Sequence, residues 1–267
     1  MKNILLPLTL ISLSLLAGCG QAESSKSAAQ EETDQIIVSG LTSKQSYALR
    51  GADQSWPGTA DEKTILLKDK NIANYYVIFD GSGSMLDTSC GDGKRRITVA
   101  KDAIGTFFDA LPKNSNVGLF VFDNNGYREV SPLQKNHASQ LKAITNNVVA
   151  GGDTPLGKTL EIASNSLRTQ GQKQQGYGEY NIVVLTDGQA NNESKMMSVV
   201  NKITSETPIN IHTIGFCLGN NHMLNQQGVI NYQPASNAAE LVKSLKSVLA
   251  ESSSFTSDSF SAMTSKK

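Results

Sequence analysis

Cysteine is scarce in this 267-residue chain, and three thiols are too few for a disulfide scaffold. Neither sign of charge is in excess, with 24 basic residues against 24 acidic. That balance argues against a strongly basic nucleic-acid binder and a polybasic membrane surface, leaving room only for local patches. Seven prolines and 22 glycines are too few for a collagen-like or proline-rich fibre. The three histidines, His137, His212 and His222, show no H-E-x-x-H spacing and read as surface or packed residues. No G-x-S-x-G surrounds Ser82 or Ser84, so a serine hydrolase lacks its nucleophile turn. Beyond the first eighteen residues, nothing approaches the apolar length of a membrane helix. What is present is 39% hydrophobic residues with 18% charged ones, enough for a packed core.

Residues 1–18 read as an export signal. Lys2 precedes an apolar run, Ile4 to Leu16, of signal length and short for a bilayer span. The following Leu16-Ala17-Gly18-Cys19 resembles the bacterial lipobox. That resemblance implies cleavage before Cys19, diacylglycerol on its thiol and an acyl group such as palmitate on the freed amine. Several chains at about 0.8 kcal/mol per buried methylene make a durable membrane anchor where one would not. The alternative is an ordinary secretory signal with a chance cysteine. Gly20 stands where an inner-membrane retention signal would show Asp. The expected place is the cell envelope, and in a Gram-negative cell the outer membrane, facing the periplasm.

Residues 19–34, the lipidated Cys19 and a small polar stretch, read as a flexible tether. Residues 35–73 form an N-terminal extension packed on the main domain, with a Trp56-Pro57-Gly58 turn and an apolar Ile65-Leu66-Leu67 run. Residues 252–267 are Ser/Thr-rich without helical period and read as a disordered tail, an edge-binding use staying open.

Between these ends, residues 74–251 alternate strand and helix. Tyr75–Phe79, Val117–Phe122, Asn181–Leu185 and Ile209–Phe216 are buried-strand runs. Asn124-Asn125-Gly126 marks a hairpin back through Tyr127–Leu133, and a short strand is expected near Val229–Tyr232. Ile97, Ala100, Ile104, Phe107, Phe108 and Leu111 follow helical spacing until Pro112 stops them. Further helices are expected over about His137–Asn147, Leu156–Leu167, Glu193–Thr204 and Ala238–Leu249. Thr154 reads as the cap of the second of these, with Pro155 in its first turn. The fold class is α/β: a doubly wound, mostly parallel central sheet flanked by helices.

Three strand ends carry hard oxygen ligands: Asp80-Gly81-Ser82-Gly83-Ser84, then Thr154, then Asp187 in Leu185-Thr186-Asp187-Gly188. Two carboxylates and three hydroxyls, with no thiolate or imidazole, suit Mg²⁺, Mn²⁺ or Ca²⁺ over Zn²⁺ or Cu²⁺. Asp-x-Ser-x-Ser after an apolar strand, Gly-Gly-x-Thr-Pro-Leu-Gly and Leu-Thr-Asp-Gly together resemble the metal-ion-dependent adhesion site of von Willebrand factor type A domains. The resemblance spans about Asn74 to Glu251 and implies a Rossmann-like fold with a cation on Asp80, Ser82, Ser84, Thr154 and Asp187. It also implies a non-enzymatic mechanism, in which a partner protein's Asp or Glu completes the metal's coordination. The first loop, Met85 to Arg96, is longer than the pattern wants and holds Asp87, Cys90 and Asp92.

Other readings stay beside this one. A metal-indifferent scaffold of an envelope complex needs none of the five side chains. Gly152–Thr159 matches G-x-x-x-x-G-K-[ST], the phosphate loop of a nucleotide-binding enzyme, with Lys158 on phosphate and Asp187 on Mg²⁺. Only Val148-Val149-Ala150 precedes it, and Pro155 removes an amide from a loop that works by pointing amides inward. A haloacid dehalogenase-like phosphatase would want Asp where Ser82 stands. Cys90 and Cys217 lie on the same crest of the sheet, and an oxidising envelope compartment permits a disulfide between them. Two free thiols, or a zinc site with His222, are the alternatives.

Overall fold

The computed structural model describes residues 55–251. Cys19, the signal, the tether and the tail from residue 252 lie outside the described residues, as does the extension before residue 55. The strands are β1 (Ala73–Asp80), β2 (Asn116–Asp123), β3 (Gly126–Lys135), β4 (Glu179–Thr186), β5 (Asn210–Phe216) and β6 (Asn231–Ala235). The helices are α1 (Arg96–Ala110), α2 (Ala138–Asn146), α3 (Leu156–Lys173), α4 (Glu193–Glu206) and α5 (Ala238–Ala250), with a 3₁₀ turn at Gly83–Leu86.

The six strands lie in the order β3-β2-β1-β4-β5-β6. Only β2 and β3 pair antiparallel, through the expected hairpin that brings Asp123 opposite Gly126. The remaining pairs are parallel. Alternation along β1 divides the core. Tyr75, Val77 and Phe79 face one layer with α1, α2 and α5. Tyr76 and Ile78 face the other with α3 and α4. Both sides of the strand are therefore apolar, which is why Tyr75–Phe79 reads as a continuous run.

Local signals stop and start the helices. Pro112 forces the preceding residue out of helical space, and Leu111 accordingly takes φ −61° and ψ 142°. Asn192 and Asn237 cap α4 and α5, accepting the Lys195 and Glu240 amides. Glu240 reaches back to the Ser236 amide at 2.7 Å, tightening that start.

Three sequence expectations are corrected. Thr154 caps nothing: α3 begins at Leu156 behind Pro155, which has φ −82° and ψ 49°, and no side chain caps it. The missing Pro155 N–H leaves one fewer donor for a cap to serve. α3 also runs to Lys173 rather than Leu167, because Gln170 and Gly171 are buried. A Cβ on Gly171 would lie 2.8 Å from the Trp56 ring, so Trp56 packs on this last stretch of helix. The sixth strand is Asn231–Ala235, since the Val229 and Ile230 amides turn back onto the Gln226 carbonyl.

The extension holds on through Trp56, edge-on to Tyr180 at 4.9 Å and covered by the Arg168 guanidinium at 5.5 Å. Ile65, by contrast, is 82% exposed. No helix among the described residues is long and apolar enough to cross a membrane.

Candidate metal centre at the carboxyl edge of the sheet

The chain winds from β1 to β2 on one side and from β4 to β5 on the other, so the winding reverses between β1 and β4. Ligands of open α/β sheets sit in the crevice beyond the carboxyl ends at such a reversal. Asp80 is the last residue of β1, and Asp187 directly follows β4.

Asp80 is fully buried and fixed through both oxygens. The Ser82 amide donates to Oδ1 at 2.7 Å, and the Thr186 hydroxyl donates to Oδ2 at 2.6 Å. The Ser82 and Ser84 hydroxyl oxygens are 3.1 Å apart, and Ser84 donates to Asp187 Oδ1 at 2.6 Å. Thr154 arrives on a loop tied to its neighbours: its amide donates to the Asn191 side chain at 2.9 Å, and the Asn191 amide donates to its carbonyl at 3.0 Å. Gly83 donates to the Gly152 carbonyl at 3.2 Å, joining the serine loop to the threonine loop. Gly152 makes that approach with φ +78°, where a Cβ would sit 2.9 Å from the Asp123 carbonyl oxygen. A Cβ on Gly188 would lie 3.6 Å from both the Ser84 and Thr154 hydroxyls. The two hydroxyls thus border one small space that a glycine leaves open. All five side chains singled out in the sequence, Asp80, Ser82, Ser84, Thr154 and Asp187, meet at this point.

Charge is unevenly compensated there. Burial pushes the Asp80 carboxyl up to about 6, and the nearby Asp187 charge adds to this against the Ser82 and Thr186 hydrogen bonds. Asp187 is also raised by burial, with Ser84 and Arg96 opposing. Asp123, at the end of β2 on the same crest, behaves differently. Burial would raise it too, but Arg128 and the Asn125 and Val149 amides outweigh that and hold it below the usual range. The Asp80–Asp187 pair is where a cation would be welcome. The donors fit a hard one: hydroxyl and carboxylate oxygens, no sulfur and no imidazole. Among the described residues no three His, Cys, Asp or Glu side chains cluster, so such an ion would depend on the hydroxyls.

Two neighbours of the site escaped the sequence reading. Arg96 Nη1 donates to Asp187 Oδ2 at 2.9 Å. A signal existed: Arg95 and Arg96 open a helix, where the dipole disfavours cations unless an anion is close. His222, read as a packed residue, bonds the Gly188 carbonyl through Nε2 at 2.9 Å while Nδ1 accepts the Leu224 amide at 3.0 Å. That pairing makes Nε2 the protonated nitrogen and braces the loop after Asp187.

Cys90 and Cys217 are joined in a disulfide, Cα–Cα 5.8 Å, which removes both free thiols and the zinc alternative. The phosphate-loop alternative loses its parts as well. Residues 147–155 form no strand. Lys158 pairs with Glu161 at 3.4 Å on the helix surface, and the buried Thr159 hydroxyl donates to the Leu156 carbonyl.

Comparison with known proteins agrees with this architecture. The family model "von Willebrand factor type A domain" matches residues 74–264. The chain is 28% identical over 173 residues to the uncharacterized protein YwmC of Bacillus subtilis (strain 168), covering 60% of this chain and 73% of that one. It is 26% identical over 189 residues to YwmD of the same organism, covering 65% and 79%. Among solved structures, proximal thread matrix protein 1 of the mussel byssus superposes with a TM-score of 0.54 at 22% identity. That match covers 67% of this chain and 47% of the mussel chain, so less than half of the mussel protein is represented. With its sheet order, its switch-point site and a family match over most of its length, the chain belongs to the von Willebrand factor type A domain family.

Proposed function

We propose that the chain is an exported, lipid-anchored binding protein that engages a protein partner through a divalent cation. The ion, Mg²⁺ or else Mn²⁺ or Ca²⁺, would be held by Asp80, Ser82, Ser84, Thr154 and Asp187. The observation that carries this reading is the meeting of those side chains, from three separate loops, at the reversal of the sheet's winding. A bound ion would supply an electrophilic position for an Asp or Glu carboxylate from outside. The chain's own residues do the positioning. Thr186 and the Ser82 amide hold Asp80 still, and Ser84 orients Asp187. Gly188 keeps side chains out of the space that the Ser84 and Thr154 hydroxyls border. No nucleic acid enters the reading, because the chain carries no basic excess.

Anchoring through Cys19 rests on the Leu16-Ala17-Gly18-Cys19 motif, and Gly20 favours an outer membrane, facing the periplasm, where there are two. Trp56 packs beside Tyr180 at the start of β4. Trp56 therefore lies at the pole of the sheet opposite Asp80.

One observation favours a second reading, a metal-indifferent scaffold: Arg96 already compensates Asp187 without an ion. Calorimetric titration with Mg²⁺ or Mn²⁺ separates the two. Wild type is expected to release or absorb heat and to gain about 2.7 kcal/mol of stability at a hundred times its Kd. Asp80→Ala is expected to lose both responses. A silent wild type with an unmoved melting curve would favour the scaffold.

A further inference from the structure

Arg96 brings a full positive charge into a pocket whose other partners are neutral. Its Nη1 bonds Asp187 Oδ2 at 2.9 Å, and Asp187 is only 3% exposed. With Oδ1 taken by the Ser84 hydroxyl at 2.6 Å, both oxygens of Asp187 are already engaged by the protein. Asp80 has no such partner, since its bonds come from a backbone amide and a threonine hydroxyl. The guanidinium is held in turn. Nε donates to the Ser89 carbonyl at 3.2 Å and Nη2 to the Ser89 hydroxyl, with Asp87 Oδ1 3.8 Å away. Ser89 precedes Cys90, whose bond to Cys217 pins this loop to the end of β5. Placed at the start of α1, a cation gains nothing from the helix dipole. Its reason for being there lies in the carboxylates it meets.

We infer that Arg96 is a tethered counter-cation that shares the Asp187 carboxylate with the divalent ion, so that the centre holds its ion loosely until an external carboxylate joins. The inference rests on the metal-site reading above and deepens it. Asp80 and Asp187 together carry two buried negative charges, and Arg96 reduces the pocket to one, since the Asp87 carboxylate beside Nη2 is 54% exposed and screened by solvent. A divalent ion then leaves one positive charge over, which a single incoming carboxylate neutralises. Without Arg96 the ion alone would balance the pocket, and the same carboxylate would bring an unpaired negative charge into a buried place. Arg96 thereby couples ion and partner, and that coupling is reciprocal: each raises the affinity for the other.

The test is calorimetric titration of Mn²⁺ into the full chain in chloride buffer, then in acetate as a carboxylate probe. Wild type, Arg96→Gln and Arg96→Lys are compared. In chloride, Arg96→Gln is expected to bind Mn²⁺ about ten-fold tighter than wild type, and Arg96→Lys to stay near wild type. Acetate is expected to raise the Mn²⁺ affinity of wild type and Arg96→Lys, and to leave Arg96→Gln unmoved. Ser89→Ala frees one end of the guanidinium without touching Asp187, so it keeps the test open if Arg96→Gln folds poorly. It is expected to tighten Mn²⁺ binding by a smaller factor, about three-fold. A folded Arg96→Gln that binds Mn²⁺ no tighter, or that responds to acetate as wild type does, overturns the inference and leaves the metal site standing. A wild type that binds no Mn²⁺ with or without acetate overturns the metal site and the inference together.

Discussion

His212 shows how a residue can matter to this molecule without touching its function. It lies on β5, 4% exposed, with Nε2 3.3 Å from the Asn181 side-chain oxygen and Nδ1 3.6 Å from the Glu251 carboxylate. Burial depresses it to about 4, against an ordinary value of about 6.5. The folded protein therefore keeps it neutral, whereas the unfolded chain protonates it first as pH falls. Its contribution is whole above about pH 6.5 and is lost progressively down to about pH 4, a difference on the order of 3 kcal/mol. His212→Gln is expected to flatten that part of the stability profile in urea titrations at several pH values. A variant whose profile stays parallel to wild type would refute the assignment. The five oxygen donors were legible as residues because their types and order survive without geometry: hydroxyls and carboxylates after apolar runs. Arg96 was not. Its partner Asp187 is 91 positions away, and only folding shows which carboxylate a given cation meets.

At the scale of elements, strands buried on both sides were readable because each is an unbroken apolar run, as in β1 and β2. The edge strand β6 was misplaced for a physical reason. It carries Pro234 and buries only its last residue, Ala235, while the more apolar Val229-Ile230 just before it is spent on a turn. The continuation of α3 past Leu167 was hidden because its last turns bury Gln170 and Gly171 against Trp56, a contact that no helical hydrophobic period announces. The loop between β1 and α1 is the element most exposed to covalent control. Its bond from Cys90 to Cys217 spans 127 positions. Replacing both cysteines by serine is expected to lower stability by about 2–4 kcal/mol in denaturant titrations, with reduced wild type showing the same loss. Variants as stable as oxidised wild type would mean that the bridge constrains little.

At the scale of the whole molecule, one sheet separates two jobs. The amino-terminal end of β4 receives Trp56, and the carboxyl ends of the parallel strands gather the oxygen donors. The central claim is that the donors surround an ion, and anomalous diffraction from crystals soaked in millimolar Mn²⁺ tests it most directly. The account predicts a single manganese peak among Asp80, Ser82, Ser84, Thr154 and Asp187. Saturating manganese with no peak between those side chains would contradict it.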